Sequence, residues 1–577
     1  MILHKRLKYL VAYVCLLWAV LTSINIYKAF HIDDTFHLEA AECIRNHLQK
    51  PMSGNINWGD SPSPMYEHNQ PPLFFYLISV SQEFFGNSEI ALHLILSIFT
   101  FAALFFFYKL TKLLNTNSPF LVLTLFAFCP AFIVNQNLMT DVPILAFATG
   151  IMYFLLKGQK NNCIKYYIFS SILLSIGLLI KYSLIPLFLV ILITILTTKN
   201  YKQSVVLFIP LITLIIWSLW NFLEFGSIHI ISRPKSELST EKILAFVSSL
   251  GAISIFSVVY LYNLFPYNLT RFLIVLSFVL FSVHVPIVYF DLIEEIKFNQ
   301  FLNCLFFSNG LILICLAGNQ VIKSVIKEKY NYLKTPFFSI AIYIIGFSAF
   351  IILFAPFNAT RHILLLIPFI LLLGKDQFEK TSGLINNTVI AASIVLGLLL
   401  GISDWFYADF YRKESENIKL ANSKFWSLGH WGWQWYSKKA GMLIYSAKNE
   451  ISVRNGDFIV FPKDVRKQNL SKDIHLDTIR FITKTPTFLT FFSGKNGASM
   501  YSSFINKPSW ELSKIPIDTI FICKVKKEIG FKDIVERIKA NEKWLNEVIN
   551  KSRKRNLPID SMLVKDAKWI ISQNRKN

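Results

Sequence analysis

Hydrophobic residues in this chain gather into long runs that short polar stretches separate, and this pattern changes near residue 407. Before that point, apolar segments such as Phe101-Ala102-Ala103-Leu104-Phe105-Phe106-Phe107 recur along the chain. A run of about 20 apolar residues is long enough to cross the hydrocarbon core of a membrane. We therefore predict that residues 1–407 form an all-α bundle of about thirteen transmembrane helices. Residues 408–577 have an ordinary polar composition and predict a soluble α/β domain.

Two stretches of this second part have a clear periodicity. Residues 451–461 alternate like two short strands around a turn, and residues 531–551 have the spacing of an amphipathic helix. A third stretch, residues 427–436, contains three tryptophans. Its aromatic rings suit either a packed core or stacking on sugar rings.

Composition excludes an ordinary soluble protein. The chain has 577 residues, of which 53% are hydrophobic and 16% charged, and its mean hydropathy is +0.45. The net charge is +22, and residues 408–577 hold 32 of the 58 basic but only 17 of the 36 acidic residues. This basic tail is suited to anionic lipids or glycans. The seven cysteines are scattered and define no disulfide framework or metal cluster.

Basic residues in the short loops predict the orientation of the bundle. Short loops that carry Lys and Arg stay on the cytoplasmic side, which places the N-terminus inside and seven segments outside. The first outer loop, residues 31–86, is the longest of these segments before the tail. We expect a multi-pass protein of the inner or plasma membrane, with its C-terminal domain on the outer side. The N-terminal apolar run lacks a small-residue cleavage site and predicts an uncleaved first span.

Two adjacent carboxylates, Asp33 and Asp34, open the first outer loop. Either side chain could cap the amphipathic helix predicted over residues 35–48, which has His37 on its polar side and should lie flat on the membrane. One of them could instead act as a general base toward an attacking hydroxyl, with a pKa tuned by its neighbour and by burial. The two roles are compatible, so the pair is a candidate catalytic element at a lipid interface.

Later in the same loop, a polar stretch turns into an aromatic, apolar segment. Glu67 and His68 precede Gln70, Pro71 and Pro72 at this transition. Prolines restrict the backbone, so this stretch predicts a stiff loop that contacts substrate. We include all five residues in the candidate site.

Three more charged residues fall at outer positions. Asp141 begins an apolar span, where it could simply cap the helix. Lys181 lies between two apolar spans with almost no loop around it, and a buried ammonium should meet an anion unless it snorkels to the surface. Arg361, at the outer end of another span, could bind a phosphate with two hydrogen bonds or anchor the helix at the interface.

His229 and Arg233, in the fourth outer loop, complete the candidate substrate-contacting set. His229 could join Glu67 and His68 around a metal, but the three residues lack any ligand spacing, so we expect no metal. The sequence has no glycine-rich phosphate loop, dinucleotide fingerprint or paired cysteine motif. We therefore expect no cofactor, and no nucleic acid among its partners.

Together these motifs resemble the glycosyltransferase C superfamily, in particular bacterial relatives of protein O-mannosyltransferases (dolichyl-phosphate-mannose-protein mannosyltransferases) and of the lipid A aminoarabinose transferase. The resemblance spans roughly the first 400 residues. The Asp-Glu pair of the family's first outer loop corresponds to Asp33-Asp34, and its Pro-Pro-Leu segment corresponds to residues 68–76. The family's second acidic motif corresponds to Thr140-Asp141, and its lysine between the fifth and sixth spans corresponds to Lys181. Its late Arg-to-Pro motif corresponds to Arg361 and Pro368.

The resemblance implies an integral membrane glycosyltransferase, a hexosyl- or pentosyltransferase, whose donor is a sugar on a polyprenyl phosphate. Its acceptor would be a lipid, glycan or protein on the outer face. Asp33 would be the catalytic base or an acid that orients the acceptor, with Asp34 supporting it, and Asp141 would be a further catalytic residue. Lys181 and Arg361 would hold the donor phosphate.

Three positions depart from the family pattern. Asp34 replaces the usual Glu, and His93 stands where many relatives carry Arg. Gln70 stands where the aminoarabinose branch has a phosphate-contacting Lys, which argues against aminoarabinose as the sugar.

Two other functions fit some of these features. An oligosaccharide ligase or polymerase that uses polyprenyl diphosphate donors would need the same groups. A lipid or sugar transporter or flippase would also have many spans, but transporters usually show internal repeats and charges at mid-membrane depth. Here the charged candidates cluster on one face, which favours an enzyme.

Overall fold

The computed structural model of the protein describes residues 2–68, 70–232, 237–257, 259, 295–418, 424–485, 490–493, 497–502, 507–527 and 531–574. These residues divide into two compact units. The first unit comprises Met1–Ile56, Ser63–Lys413 and Lys484–Asp518, and the second comprises Asn57–Pro62, Glu414–Thr483 and Thr519–Asn577. The predicted division at residue 407 treats the tail as one piece, whereas here a segment of the tail, Lys484–Asp518, is part of the first unit.

The first unit is built mainly from helices. In chain order they are α1 (Ile2–Asn25), α2 (Asp34–Asn46), α3 (Leu73–Phe85), α4 (Glu89–Leu113), α5 (Pro119–Ala127), α6 (Pro130–Val134), α7 (Asp141–Asn161), α8 (Ile164–Leu178), α9 (Pro186–Thr197), α10 (Phe208–Phe225), α11 (His229–Ser232), α12 (Thr240–Ala252), α13 (Glu295–Glu328), α14 (Pro336–Phe354), α15 (Thr360–Ile363), α16 (Ile367–Leu373), α17 (Lys375–Lys380) and α18 (Gly383–Asn417). A two-stranded antiparallel ribbon in the first loop pairs β1 (Asn55–Ile56) with β2 (Ser63–Pro64).

Among the described residues, six helical segments are long and apolar enough to cross a membrane. They are Glu89–Leu113, Asp141–Asn161, Tyr201–Phe225, Gln300–Lys334, Pro336–Phe354 and Gly383–Asn417. Shorter apolar helices cover Leu10–Asn25, Leu73–Phe85, Ile164–Leu178 and Tyr182–Thr197. The chain is therefore a mostly helical membrane protein, and the number of thirteen spans stays a prediction. One predicted part of the bundle, residues 260–294, lies outside the described residues.

Prolines divide the apolar runs near the candidate residues into short helices. Pro130 lacks a backbone N–H, so the apolar run that contains it forms α5 and α6 instead of one helix. Similarly, α16 starts immediately before Pro368 and is separate from α15. These breaks leave polar loops and helix ends, including residues 135–140 and 355–361, inside a helical bundle.

The second unit contains a five-stranded mixed sheet. Its strands are β3 (Phe425–Ser427), β4 (Leu443–Ile444), β5 (Phe458–Pro462), β6 (Ile474–Thr483) and β7 (Thr519–Lys527), in the order β4-β3-β5-β7-β6. β3 pairs in parallel with β4 and β5, and β7 pairs antiparallel with β5 and β6. The buried side chains of Trp426, Tyr445 and Ile459 are part of its core.

Four helices accompany this sheet in the second unit: α19 (Trp431–Lys439), α20 (Phe531–Ala540), α21 (Glu542–Arg555) and α22 (Ile559–Asn574). The last three share an apolar cluster that includes Ile538, Val548 and Leu563. The soluble α/β domain over residues 408–577 stays a prediction, although strands and helices are both present there.

Two local predictions for the tail were wrong. Residues 451–461 hold one strand, β5, because Glu450–Ser452 is a 3-10 turn. Residues 531–551 contain parts of two helices, because the side chain of Asn541 accepts the backbone N–H of Trp544 at 3.1 Å and starts α21 there.

Helices α12 and α13 approach each other through glycines. A methyl group on Gly310 would meet the backbone carbonyl of Val247, and one on Gly251 would meet the carbonyl of Phe306. By contrast, a methyl group on Gly318, also in α13, would have no heavy atom within 4 Å. The contact between the two helices therefore depends on the first two glycines.

We predict that Gly310→Ala destabilises the protein by about 1–3 kcal/mol, because the added methyl group must push the two backbones apart. Gly318→Ala is the matched control and should be neutral or stabilising by up to about 1 kcal/mol, because alanine favours the helix. Thermal unfolding in detergent compares the two variants. Equal unfolding midpoints would contradict the close approach of α12 and α13.

Candidate functional site

The side chain of Asp33 pairs with Arg361. Asp33 is the residue before α2, but its backbone is helical (φ −76°, ψ −3°) and its carboxylate makes no cap hydrogen bond. Asp33 Oδ2 lies 2.8 Å from Arg361 Nη1 instead. The Arg361 side chain is only 7% exposed and that of Asp33 26%. The helix-cap role considered for Asp33 is therefore not observed.

A second ion pair joins Asp141 and Lys181. Asp141 is the first residue of α7, and Lys181 has an extended backbone (φ −158°, ψ 131°) just after α8. Lys181 Nζ lies 2.8 Å from Asp141 Oδ1, with Asp141 2% and Lys181 18% exposed. The ammonium thus meets an anion. Thr140, at the N-cap of α7, makes no side-chain cap bond.

The two ion pairs form one site, because Arg361 Nη1 also lies 3.8 Å from Asp141 Oδ2. Four charged residues, from the position before α2, from α7, from the turn after α8 and from α15, are thereby brought together. Two carboxylates balance two cations, which offsets part of the cost of removing each charge from water. Removing one member of such a buried pair typically costs about 3–5 kcal/mol, because its partner is left uncompensated.

Backbone and side-chain contacts fix Arg361 within this site. Its Nη1 lies 2.9 Å from Met139 Sδ, and the guanidinium lies 5.8 Å from the centre of the Phe357 ring. Upstream, the amide of Asn358 donates to the backbone carbonyl of Lys242. The turn that carries Arg361 is therefore held against α12 and the loop before α7.

His37 is a member of the site that the sequence analysis placed on the polar side of α2. It is buried, with Nδ1 2.7 Å from the carbonyl oxygen of Asp33 and Nε2 2.9 Å from Gln70 Oε1. A carbonyl only accepts, so Nδ1 carries a proton. Burial lowers the pKa of His37, which favours the neutral ring. In this neutral ring Nε2 carries no proton and accepts a hydrogen bond. Both contacts are therefore satisfied when the amide group of Gln70 presents its N–H to Nε2.

Asp34 lies apart from the ion pairs, fully buried. Its Oδ2 accepts the backbone N–H of His31 at 2.7 Å, while Oδ1 has no hydrogen-bond partner. Burial raises the pKa of Asp34 to about 8. Asp34 is thus largely protonated at neutral pH, and any support that it gives to Asp33 does not come from a second negative charge.

A buried polar group that the sequence analysis missed surrounds Tyr501. Lys28 forms an ion pair with Asp404, and Tyr501 and Asn137 share a hydrogen bond of 2.6 Å. All four side chains are buried. A charged residue inside an apolar span, as Asp404 is in α18, is a signal that could have found this group.

The predicted substrate loop is anchored to α10 and α11. Trp217 Nε1 donates to the Tyr182 hydroxyl at 2.7 Å, and that hydroxyl lies 2.9 Å from His229 Nδ1. His229 Nε2 contacts the backbone carbonyl of His68 at 2.7 Å. The carbonyl accepts from Nε2–H, so Nδ1 accepts from Tyr182. This hydrogen-bonded chain links the loop to the residue next to Lys181.

The other predicted loop residues have different environments. Glu67 is exposed, and Pro71 and Pro72 are buried where α3 begins. Arg233 lies outside the described residues. The metal hypothesis receives no support: His229 uses both ring nitrogens for other contacts, and no three His, Cys, Asp or Glu side chains among the described residues are grouped to hold a metal ion.

An apolar pocket of about 430 Å³ lies in the first unit beside this loop. The backbone N–H of Leu73 donates to the carbonyl of Leu179, two residues before Lys181, which joins two walls of the pocket. Its lining residues are Leu48, Gln49, Pro51, Pro72, Leu73, Tyr76, Leu179, Thr213, Ile216, Trp217 and Trp220. The site thus combines paired charges with a nearby apolar cavity.

Residues 69–223 match the model of the dolichyl-phosphate-mannose-protein mannosyltransferase family. This segment contains Gln70, Asp141 and Lys181, whereas Asp33 and Arg361 lie outside it. The resemblance that the sequence motifs predict is confirmed over this segment. No curated protein matches the chain.

Two solved structures are similar to the chain at low sequence identity. ArnT from Cupriavidus metallidurans bound to undecaprenyl phosphate is 10% identical, with a TM-score of 0.45, over 80% of this chain and 93% of that chain. The oligosaccharyltransferase AglB from Archaeoglobus fulgidus, in complex with an inhibitory peptide and a dolichol phosphate, is 9% identical, with a TM-score of 0.42, over 79% and 69%.

We predict that the charge of Asp34 makes the protein less stable as the pH rises. The pKa of about 8 in the folded state exceeds the value of about 3.9 in an unfolded chain. The stabilisation linked to the bound proton is therefore complete below about pH 4 and is lost as the pH rises through about 8. In Asp34→Asn, which cannot ionise, the advantage in unfolding midpoint over the parent chain should grow from about pH 5 to pH 9.

Glu83→Gln is the control, because Glu83 forms an exposed pair with Arg45. Its difference from the parent chain should change little with pH, since exposed pairs contribute little. Parallel pH curves for Asp34→Asn and the parent would show that the carboxyl group is not buried as described.

Proposed function

We propose that this chain is an integral membrane glycosyltransferase that moves one sugar from a polyprenyl phosphate to a lipid, glycan or protein acceptor. The observation that carries the proposal is the site in which Asp33 and Asp141 meet Arg361 and Lys181. The reaction takes place on the outer face of an inner or plasma membrane, where residues 408–577 also lie.

Two features support a lipid-linked phosphate as the donor. Arg361 and Lys181 supply positive charge within a largely buried site, and guanidinium and ammonium groups are the usual phosphate partners in proteins. The apolar pocket beside Leu179 provides a surface for a prenyl chain close to those cations. The family-model match over residues 69–223 points to the same donor class.

Asp33 then acts as the general base. Its carboxylate takes the proton of an acceptor hydroxyl or amine as the acceptor atom bonds to the anomeric carbon of the sugar. The bond from that carbon to the phosphate oxygen breaks, and the polyprenyl phosphate leaves with the electron pair. Arg361 and Lys181 stabilise the charge that develops on the leaving phosphate. Attack opposite the leaving group inverts the anomeric centre.

Because Asp33 and Arg361 form an ion pair, binding of the donor has a second effect. While Arg361 holds Asp33, the ion pair engages the carboxylate and keeps it from an acceptor. A donor phosphate that binds Arg361 competes with Asp33 for the same guanidinium. Donor binding therefore releases Asp33 toward the acceptor, which couples occupancy of the site to the activity of its base.

Five other candidate residues support this site: Gln70, Pro71, Pro72, His68 and His229. Gln70 contacts His37, which in turn contacts the backbone of Asp33. Gln70 brings no positive charge to the donor, which favours a sugar other than aminoarabinose.

We predict that Asp33→Asn abolishes sugar transfer, with a loss of about 100-fold or more, because the variant has no base. Mass spectrometry of envelope glycans and lipids tests this in a deletion strain that carries the intact chain or the variant at matched membrane levels. The intact chain should restore a sugar-bearing species. The variant should not, and its polyprenyl-phosphate sugar should accumulate.

Glu83→Gln is the matched control, because it removes an exposed carboxylate near the end of α3. It should restore the same species as the intact chain. If Asp33→Asn also restores that species, Asp33 is not the base. If no form changes any glycan or lipid, transport replaces glycosyl transfer as the better account, and accumulation of a diphosphate-linked oligosaccharide would indicate a ligase or polymerase.

We also predict that Asp33→Asn binds undecaprenyl phosphate more tightly than the parent chain, by about tenfold, because the variant no longer competes for Arg361. Purified protein titrated with the lipid in detergent, followed by intrinsic fluorescence, measures the dissociation constants. Weaker or unchanged binding by Asp33→Asn would contradict the exchange of carboxylate for phosphate at Arg361.

A further inference from the structure

A short stretch of the tail, residues 497–502, lies in the same compact unit as the site. It belongs to Lys484–Asp518, which is part of the first unit. Flanking described residues are fixed to helices: the Ser403 hydroxyl accepts the backbone N–H of Phe491 at 3.2 Å, and Trp510 Nε1 donates to the carbonyl of Ala252 at 3.0 Å. The segment is therefore attached to the helical bundle on both sides of residues 497–502.

Tyr501 places its hydroxyl at the centre of a buried polar group. Asn137 Nδ2 donates to this hydroxyl at 2.6 Å, and Asp404 Oδ2 lies 2.8 Å away. Lys28, which pairs with Asp404, has its Nζ 3.4 Å from the same hydroxyl. An amide N–H and an ammonium only donate, so the Tyr501 O–H donates to one of the two acceptors it faces, Asp404 Oδ2 at 2.8 Å or the carbonyl of Val134 at 3.3 Å, and the carboxylate is the nearer. One hydroxyl thus connects the turn after α1, α18 and the loop before α7.

The residue before Tyr501 makes a separate link to the site. The carbonyl of Met500 accepts the Thr360 hydroxyl at 2.7 Å, and Thr360 directly precedes Arg361 in α15. Asn137, the partner of Tyr501, lies in the loop that leads to Asp141. Two neighbouring residues of one segment are therefore bonded to the two chain regions that carry Arg361 and Asp141.

We propose that Tyr501 is a positioning residue of the phosphate site: its hydrogen bonds fix the loop before α7 relative to α15, and thereby the placement of Arg361 beside Asp141. Tyr501 contacts neither Arg361 nor the reacting groups directly. This inference rests on the proposed function, because the site that Tyr501 orders is the one that binds the donor phosphate.

A buried network admits few alternative arrangements. Without the hydroxyl, both Asn137 and Asp404 lose a partner in a place that water does not reach freely, and they must shift to find another. A shift of about 1 Å in a group that binds a reacting ligand can cost about 100-fold in function. Tyr501→Phe removes the hydroxyl and keeps the ring, so it isolates this contribution.

The experiment is a binding titration of the purified full chain with undecaprenyl phosphate in detergent. Tyr501→Phe should weaken binding by about tenfold. The matched control is Tyr411→Phe, because Tyr411 is equally buried and its hydroxyl bonds to Asp518 at 2.9 Å. The control should change the dissociation constant by less than about twofold, as expected for an independent position.

A double-mutant cycle separates positioning from general destabilisation. In an Arg361→Lys background, Tyr501→Phe should add less than about twofold to the loss, because the group that it positions is already altered. If Tyr501→Phe only destabilised the protein, the fold losses in affinity from the two substitutions would multiply instead. Additive effects, or equal losses from Tyr501→Phe and Tyr411→Phe, overturn the inference while leaving the proposed function intact. Absence of binding by the parent chain overturns the proposed function and this inference with it.

Thr360→Val provides a second route if Tyr501→Phe does not fold, as judged by gel filtration and thermal unfolding. This variant removes the hydroxyl that bonds to Met500 and keeps the shape of the side chain. It should weaken binding of undecaprenyl phosphate by about threefold to tenfold and show the same coupling to Arg361→Lys. Binding equal to that of the parent chain would overturn the inference.

Discussion

The ion pair between Asp33 and Arg361 joins two regions that are distant in sequence, the first loop and a short helix late in the bundle. It forms because proline breaks leave a helix end at Arg361 inside the bundle and because the backbone of Asp33 turns its carboxylate away from the helix that follows. Asp141 and Lys181 complete the balance of charge around it. The geometry of the candidate site depends on this neutralisation.

Two cations and two carboxylates balance one another in the site, and in the proposed function a donor phosphate replaces one of the carboxylates. Each cation is already desolvated and directed at a carboxylate oxygen, so a phosphate that replaces a carboxylate meets preorganised partners. In the proposed function, the exchange at Arg361 also frees the carboxylate of Asp33 from its ion pair. One interaction thus links the charge balance of the site to the proposed activation by donor binding.

Much of this site could be predicted from sequence because its members interrupt apolar patterns. Lys181 stands between two apolar runs, which indicates an anionic partner, and Asp33 and Arg361 fall at the polar ends of such runs. The partners of these charged side chains are set by tertiary packing. The sequence therefore could not exclude that Asp33 and Asp141 only cap helices. It also placed His37 on the polar side of α2, where helical spacing alone cannot show that a second layer covers that face.

The contribution of the tail could not be predicted for a related reason. A composition change at residue 407 indicates a new domain, but it does not reveal that Lys484–Asp518 returns to the helical unit. Tyr501 has no sequence signal of its own, because a single tyrosine in a polar segment is unremarkable. Asp404 does have a sequence signal, because it is a carboxylate within an apolar span. Such a carboxylate needs buried partners, and Lys28 and Tyr501 are those partners.

The most direct test of the account is the structure of the full chain bound to undecaprenyl phosphate, determined by electron cryomicroscopy. The account predicts the phosphate between Arg361 and Lys181, the prenyl chain entering the apolar pocket beside Trp217, and the carboxylate of Asp33 no longer paired with Arg361. A phosphate bound away from both cations, with the pair of Asp33 and Arg361 intact, would contradict it.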